Sequence, residues 1–167
     1  MEEIDSFIKK ELKDRCSSLP RFEDGRIDYT HAHTCLVMTV FLEHNGYFLL
    51  MKRSDKVGSY TGKWNAIAGY IDEEKPLKQK VLEEVEEETK IKEEAISIIS
   101  PGKVYQANDS KLGKTWIVHP VHVLLKERPN IVLDWEHTDY KWVTPKEFEK
   151  LDTVPHFGKS FENAIRE

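Results

Sequence analysis

Cysteine is scarce in this chain of 167 residues: Cys16 and Cys35 are the only two, and they form no CxxC pair. Two thiols are too few for a disulfide framework, and a reducing cytoplasm is the expected setting. Long apolar runs are missing as well. The first thirty residues hold no apolar h-region, and nothing approaches the ~18 apolar residues that a membrane span needs, so neither a signal peptide nor a spanning helix is expected. Basic excess is absent too: the formal net charge is −5, the isoelectric point is near 5.8, and no basic stripe appears. General nucleic-acid binding is thereby disfavoured, although a small phosphate pocket leaves no trace in net charge. Repeats and low-complexity tracts are not found. With 39% hydrophobic and 33% charged residues, the composition is that of an ordinary globular protein with one sizeable core.

What the chain does have is one strongly acidic stretch. Residues 72–94 hold ten acidic and five basic side chains, a local charge of −5 that equals the net charge of the whole protein. Pro76 suits a helix start, and Leu77, Val81, Leu82 and Val85 recur at helical spacing, which predicts a helix over 76–89. Glu84, Glu87 and Glu88 share one of its faces, and Glu84 and Glu88 border the apolar stripe. Carboxylates at a helix C-terminus oppose the macrodipole, at about 0.3–1 kcal/mol each, and like-charged i,i+4 pairs add about 0.2–0.5 kcal/mol. Two arrangements could offset this cost. One is a solvated face laced by Lys80–Glu84 and Glu86–Lys90 ion pairs. The other is a hard divalent cation, Mg²⁺ or Mn²⁺, which takes oxygen ligands.

A glycine after a strand, a loop, and a helix bearing Glu-aliphatic-x-Glu-Glu resembles the Nudix box, the signature of Nudix hydrolases. Gly69 matches the box glycine, residues 84–88 match its acidic core, and Ile91 matches the closing aliphatic residue. Three positions depart from it: Lys75 stands where the family has glutamate, Glu83 where it has arginine, and Lys90 where it has glycine. The first two carry the family's charges in reverse order. They are therefore expected to form an ion pair of opposite polarity, provided that Lys75 folds back from the loop.

The remaining chain fits around this stretch. Residues 4–15 place Ile4, Phe7, Ile8 and Leu12 on one side of an amphipathic helix, whose partner is either the domain itself or a second subunit in a homodimer. Residues 17–30 are polar and turn-rich, so 1–33 read as an N-terminal helix and connector and 34–167 as the main domain. Two β-rich runs, 34–43 and 47–53, flank His44-Asn45-Gly46, a strong hairpin signal. The second ends in Lys52-Arg53, which serves either solubility or contact with a phosphate or base. Trp64 is expected in the core or a pocket wall. Strands are expected at 95–100, 103–107 and 115–125, with Pro120 tolerated at an edge or bulge. His119 and His122 fall on opposite strand faces, and His31 and His33 share one face without a third ligand nearby, so structural roles are expected for all four. Residues 134–143 resemble the late acidic loop and strand of Nudix domains. Thr144-Pro145-Lys146-Glu147 opens a short helix, and 160–166 form a last one.

The resemblance implies an α/β fold, a Nudix-like α/β/α sandwich around a mixed β-sheet. It also implies hydrolysis of a diphosphate linkage in a small-molecule nucleoside diphosphate derivative. Mg²⁺ or Mn²⁺ would be held by Glu84, Glu87, Glu88 and the Gly69 carbonyl. Glu84 and Glu87 are the leading catalytic residues, Arg53 and Lys52 the substrate-binding ones, and Glu136, His137, Lys75 and Glu83 complete the candidates. Two other functions remain open: a non-catalytic nucleotide-binding module, and an isomerase of isopentenyl diphosphate. The isomerase chemistry uses a cysteine where this chain has Ala66-Ile67-Ala68.

Overall fold

A computed structural model describes residues 1–165. β1 (Thr34–His44) and β2 (Tyr47–Arg53) form the expected hairpin, and Asn45 and Gly46 both adopt positive φ, as a two-residue turn with the right twist requires. The hairpin is zipped only at its tip, at Glu43–Phe48 and His44–Tyr47. Beyond that the strands splay, and two short strands fill the gap. β3 (Trp64–Asn65) pairs with β2, while β4 (Ile67–Tyr70) pairs antiparallel with the middle of β1, setting Gly69 opposite Met38.

β7 (Lys114–Leu125) runs parallel to β1 along ten residue pairs, from Thr34–Thr115 to Glu43–Leu124. Its other side is shared by β6 (Tyr105–Asp109) and β5 (Ile96–Pro101), and β8 (His137–Val143) pairs with β2. Pro120 is therefore not at an edge or bulge. It lies in a central strand, at the seam where β6 pairing stops at Val118 and β5 pairing starts at Val121, so its missing N–H leaves no ladder bond on that side unmade.

The sheet buries both faces. Leu36, Met38, Val40 and Leu42 of β1 point to one side, where α1 (Glu2–Cys16) and α2 (Leu77–Thr89) cover them with Ile8, Leu12, Leu77, Val81 and Val85. Phe41, Phe48, Leu50 and Trp64 point to the other side, against Phe157 and Ala164 of α3 (Phe157–Ile165) and a 3-10 turn at Pro145–Lys150. Thr144 and Glu147 close that turn as a capping box. This is the expected α/β/α sandwich around a mixed sheet. The last helix starts three residues earlier than expected, and Arg166 lies outside the described residues. Among the described residues, no helix is long and apolar enough to cross a membrane.

The apolar face of α1 is covered by the domain itself, which removes that argument for a second subunit. The connector after it is more than a linker: Ile27 and Tyr29 are buried, and the Tyr29 hydroxyl donates to the Ile71 carbonyl at 2.7 Å. α1 also reaches the acidic helix. Pro76 is the N-cap of α2 and offers no side-chain acceptor, and the Leu77 N–H donates instead to Asp5 Oδ1 at 2.8 Å. An Asp5→Ala variant should lose about 1 kcal/mol, the worth of a typical cap, lowering the melting temperature by about 2–4 °C. Asp5→Asn should retain most of it, and equal melting of all three proteins would deny Asp5 that role.

Candidate active site

The site lies where α2, β4, the end of β2 and the turn before β8 converge. Gly69 leaves room for Glu84, which any side chain at this position would displace. A Cβ at this position would stand 2.7 Å from Glu84 Cδ and 2.8 Å from its Oε1, so the Glu84 carboxylate rests directly on the β4 backbone. One helical turn later, Glu88 is 2% exposed, and its Oε2 has no hydrogen-bond partner. Glu87 is exposed on the helix surface.

The tightest grouping of potential metal ligands differs from the three helix glutamates expected. Carboxylate oxygens of Glu88 and Glu136 and a ring nitrogen of His137 lie within 4.8 Å of one another. Glu84 and Glu87 stand beside this trio. The turn carrying Glu136 is fixed to β2, because the Ser54 N–H donates to the Glu136 carbonyl at 2.7 Å. Asp134 organises the turn from within: its Oδ1 accepts from the Glu136 N–H at 3.2 Å and from His137 Nδ1 at 3.0 Å. Sequence reasoning missed Asp134. The only available signal was an acid three residues before a histidine.

Electrostatics in the site are dominated by burial and by like charge. Burial, then Glu87, pushes Glu84 up to about 7, with Lys80 opposing. Glu88 is raised well above the usual carboxylate range by burial and by Glu136, Glu84 and Asp134. Glu136 rises through burial and Asp134, while burial lowers His137 against the pull of Asp134. Arg53 is the cation whose charge acts on Glu88, Glu136 and His137. Burial depresses its pKa, and Glu136 and Glu88 oppose that. Its Nε donates to the Ser59 carbonyl at 3.0 Å, so Arg53 also anchors the loop after β2. Lys52 continues the row of Phe48 and Leu50, toward the opposite side of the sheet.

The Lys80–Glu84 and Glu86–Lys90 pairs, one of the two arrangements open from the sequence, do not form. Lys80 is only 5% exposed and turns to Asp72 at 3.1 Å and Glu73 at 3.2 Å, and Glu86 pairs with Lys92. Burial works against the charge on Lys80, but its two partners more than offset this and raise its pKa. Lys75 does fold back. Its Nζ lies 3.0 Å from Glu83 Oε1 and 3.1 Å from Glu73 Oε1, so the ion pair exists with its polarity reversed. Lys90, at the box's second glycine position, is the C-cap of α2 with φ 63°, the left-handed conformation that glycine adopts without steric cost. Both members of the Lys75–Glu83 pair are partly exposed, so solvent screening keeps its contribution small. In a double-mutant cycle, Lys75→Glu and Glu83→Arg should each lower stability, and the double swap should recover part of the loss. Strictly additive effects would show that the two positions are independent.

Comparison with known proteins agrees with this geometry. A NUDIX domain family model matches residues 31–164. A nucleoside triphosphatase, NudI from Salmonella agona, is 24% identical over 123 residues, which cover 70% of this chain and 86% of that protein. The fold is similar to the MutT protein from Methanosarcina mazei, with a TM-score of 0.61, 26% identity, and coverage of 79% of this chain and 93% of that one. It is also similar to the NUDIX domain of Shewanella oneidensis NrtR complexed with ADP ribose, with a TM-score of 0.63, 20% identity, and coverage of 78% and 85%. With the family match spanning most of its length, and with the glycine, the acidic helix and the late acidic turn meeting at one place, the chain belongs to the Nudix family.

Proposed function

We propose that this protein hydrolyses a diphosphate linkage in a nucleoside diphosphate derivative, with a divalent cation held by Glu84, Glu87, Glu88 and the Gly69 carbonyl. The observation that carries this reading is Glu88. A carboxylate oxygen buried without a partner, among other carboxylates, is costly unless a cation completes it. Mg²⁺ or Mn²⁺ bound there would draw charge from phosphate oxygens and acidify a water molecule.

The chain's own groups divide the remaining work. Arg53, whose charge is favoured by Glu136 and Glu88, would bind a phosphate oxygen. Gly69, without a Cβ, lets the Glu84 carboxylate lie close against β4. Glu84 and, on the facing turn, Glu136 are the carboxylates that would accept the proton released by that water. Exposed Tyr70 and Trp135 flank the site in sequence and offer stacking surfaces for a base.

The binding-module alternative rested on Lys75, Glu83 and Lys90. The first two are paired with each other and the third is a helix cap, so the departures leave the carboxylates in place. The related NudI enzyme and the ADP ribose complex define the substrates to try first. Product release should be measured on nucleoside triphosphates, nucleotide sugars, dinucleoside polyphosphates and ADP-ribose, with Mg²⁺, with Mn²⁺ and with EDTA. At least one substrate should turn over only with metal, and Glu84→Gln should reduce that rate by about 100-fold or more. Tight nucleotide binding with no turnover under any condition would favour the binding module.

A further inference from the structure

His137 is the unusual member of the trio. A site for a hard cation needs oxygen ligands only, yet an imidazole nitrogen lies within 4.8 Å of the Glu88 and Glu136 oxygens. The ring is not a surface residue that happens to be near: its side chain is 3% exposed, and His137 pairs with Arg53 at the start of β8. Its orientation is also set. A carboxylate can only accept, so Asp134 Oδ1, 3.0 Å away, fixes the proton on Nδ1 and leaves Nε2 with its lone pair. A carboxylate that holds one ring nitrogen while the other faces a metal is the usual support of a metal-binding histidine. The second observation is Glu88, a member of the same trio, whose Oε2 is buried without a hydrogen-bond partner.

Resting on the metal-dependent reading above, we infer that His137 supplies a nitrogen ligand alongside Glu88 and Glu136, and that the site prefers Mn²⁺ or another borderline divalent ion to Mg²⁺. Imidazole suits first-row transition metals, while Mg²⁺ takes oxygen and gives up its water reluctantly. Asp134 is then a positioning residue, acting on the cation only through His137.

The test is pulsed electron paramagnetic resonance of Mn²⁺ bound to the full chain, with Mg²⁺ affinity measured by competition. Wild-type protein should show ¹⁴N modulation from a coordinated imidazole and bind Mn²⁺ about 100-fold more tightly than Mg²⁺. His137→Gln should lose the modulation and weaken Mn²⁺ binding by about 10-fold or more, with Mg²⁺ binding little changed. Asp134→Asn keeps the ring, so the modulation should persist with shifted quadrupole frequencies of the remote nitrogen. This variant serves should His137→Gln fail to fold. Bound Mn²⁺ without ¹⁴N modulation, or modulation that survives in His137→Gln, overturns the inference and leaves the metal-dependent reading standing. Failure of wild-type protein to bind either ion overturns both.

Discussion

A Glu88→Met variant will be more stable than the parent in metal-free buffer at neutral pH, and it will have lost its hydrolytic activity. Burying a polar atom without a partner costs about 1–3 kcal/mol, and at Glu88 three other carboxylates add to that cost while only Arg53 opposes it. Methionine has similar length, packs without strain beside Val85 and needs no partner. The same reasoning fixes the pH dependence. Glu84 and Glu88 have folded-state pKa values above the unfolded value of about 4.5. Their contribution is therefore complete below about pH 4.5 and is lost as pH rises, for Glu84 through about 7. Denaturant titrations of the metal-free parent at about pH 5 and about pH 7.5 should show the lower stability at the higher pH, with a smaller difference in Glu88→Met. Added divalent cation should restore stability to the parent at neutral pH and leave the variant unaffected. A variant less stable than the parent at neutral pH would remove the premise that Glu88 is held there at a cost.

Gly69→Ala should show the opposite separation, with folding kept and activity lost. The new methyl group meets the far end of the Glu84 side chain, which can swing away, so the melting temperature should change by only a few degrees. Glu84 would then leave its place against β4, and a displacement of about 1 Å in a catalytic group costs about 100-fold in rate. Gly102→Ala is the natural comparison. There a Cβ would stand 2.2 Å from the backbone carbonyl oxygen of Asn163 in α3, an atom with no freedom to move aside, and the expected result is severe destabilisation. Comparable melting of the two glycine variants, or full activity in Gly69→Ala, would contradict this assignment of the two contacts.

Signals confined to a few neighbouring residues were legible in the sequence. Asn45-Gly46 specifies its hairpin turn, Thr144 and Glu147 their capping box, and the apolar spacing from Leu77 to Val85 the helix that carries the glutamates. Resemblance to the Nudix box added the reversed Lys75–Glu83 pair, which needed only that the loop fold back over two helical turns. Features set by distant segments were not legible. Lys80 looked like a surface partner of Glu84 because helical spacing says nothing of Asp72 turning beneath it. Pro120 looked like an edge residue because its harmlessness depends on where β5 and β6 divide one side of β7. The trio of Glu88, Glu136 and His137 depends on Ser54 fixing a turn more than eighty residues later in the chain.

The parallel pairing of β1 with β7 also bears on how the molecule comes to be folded. These strands form the middle of the sheet, yet Thr34 meets Thr115 across about eighty residues of intervening chain. Closing a flexible loop of that length costs about 4 kcal/mol in entropy beyond the fixed term before any pairing repays it. The β1–β2 hairpin and α2 can form locally and early, whereas the sheet has no centre until β7 arrives. On a ribosome, the nascent chain would carry the β1 edge from Thr34 to Glu43 with its backbone groups unpaired while the residues up to Leu125 are still being made. The interval of greatest exposure to aggregation therefore falls during synthesis, and folding speed is governed by one long-range closure.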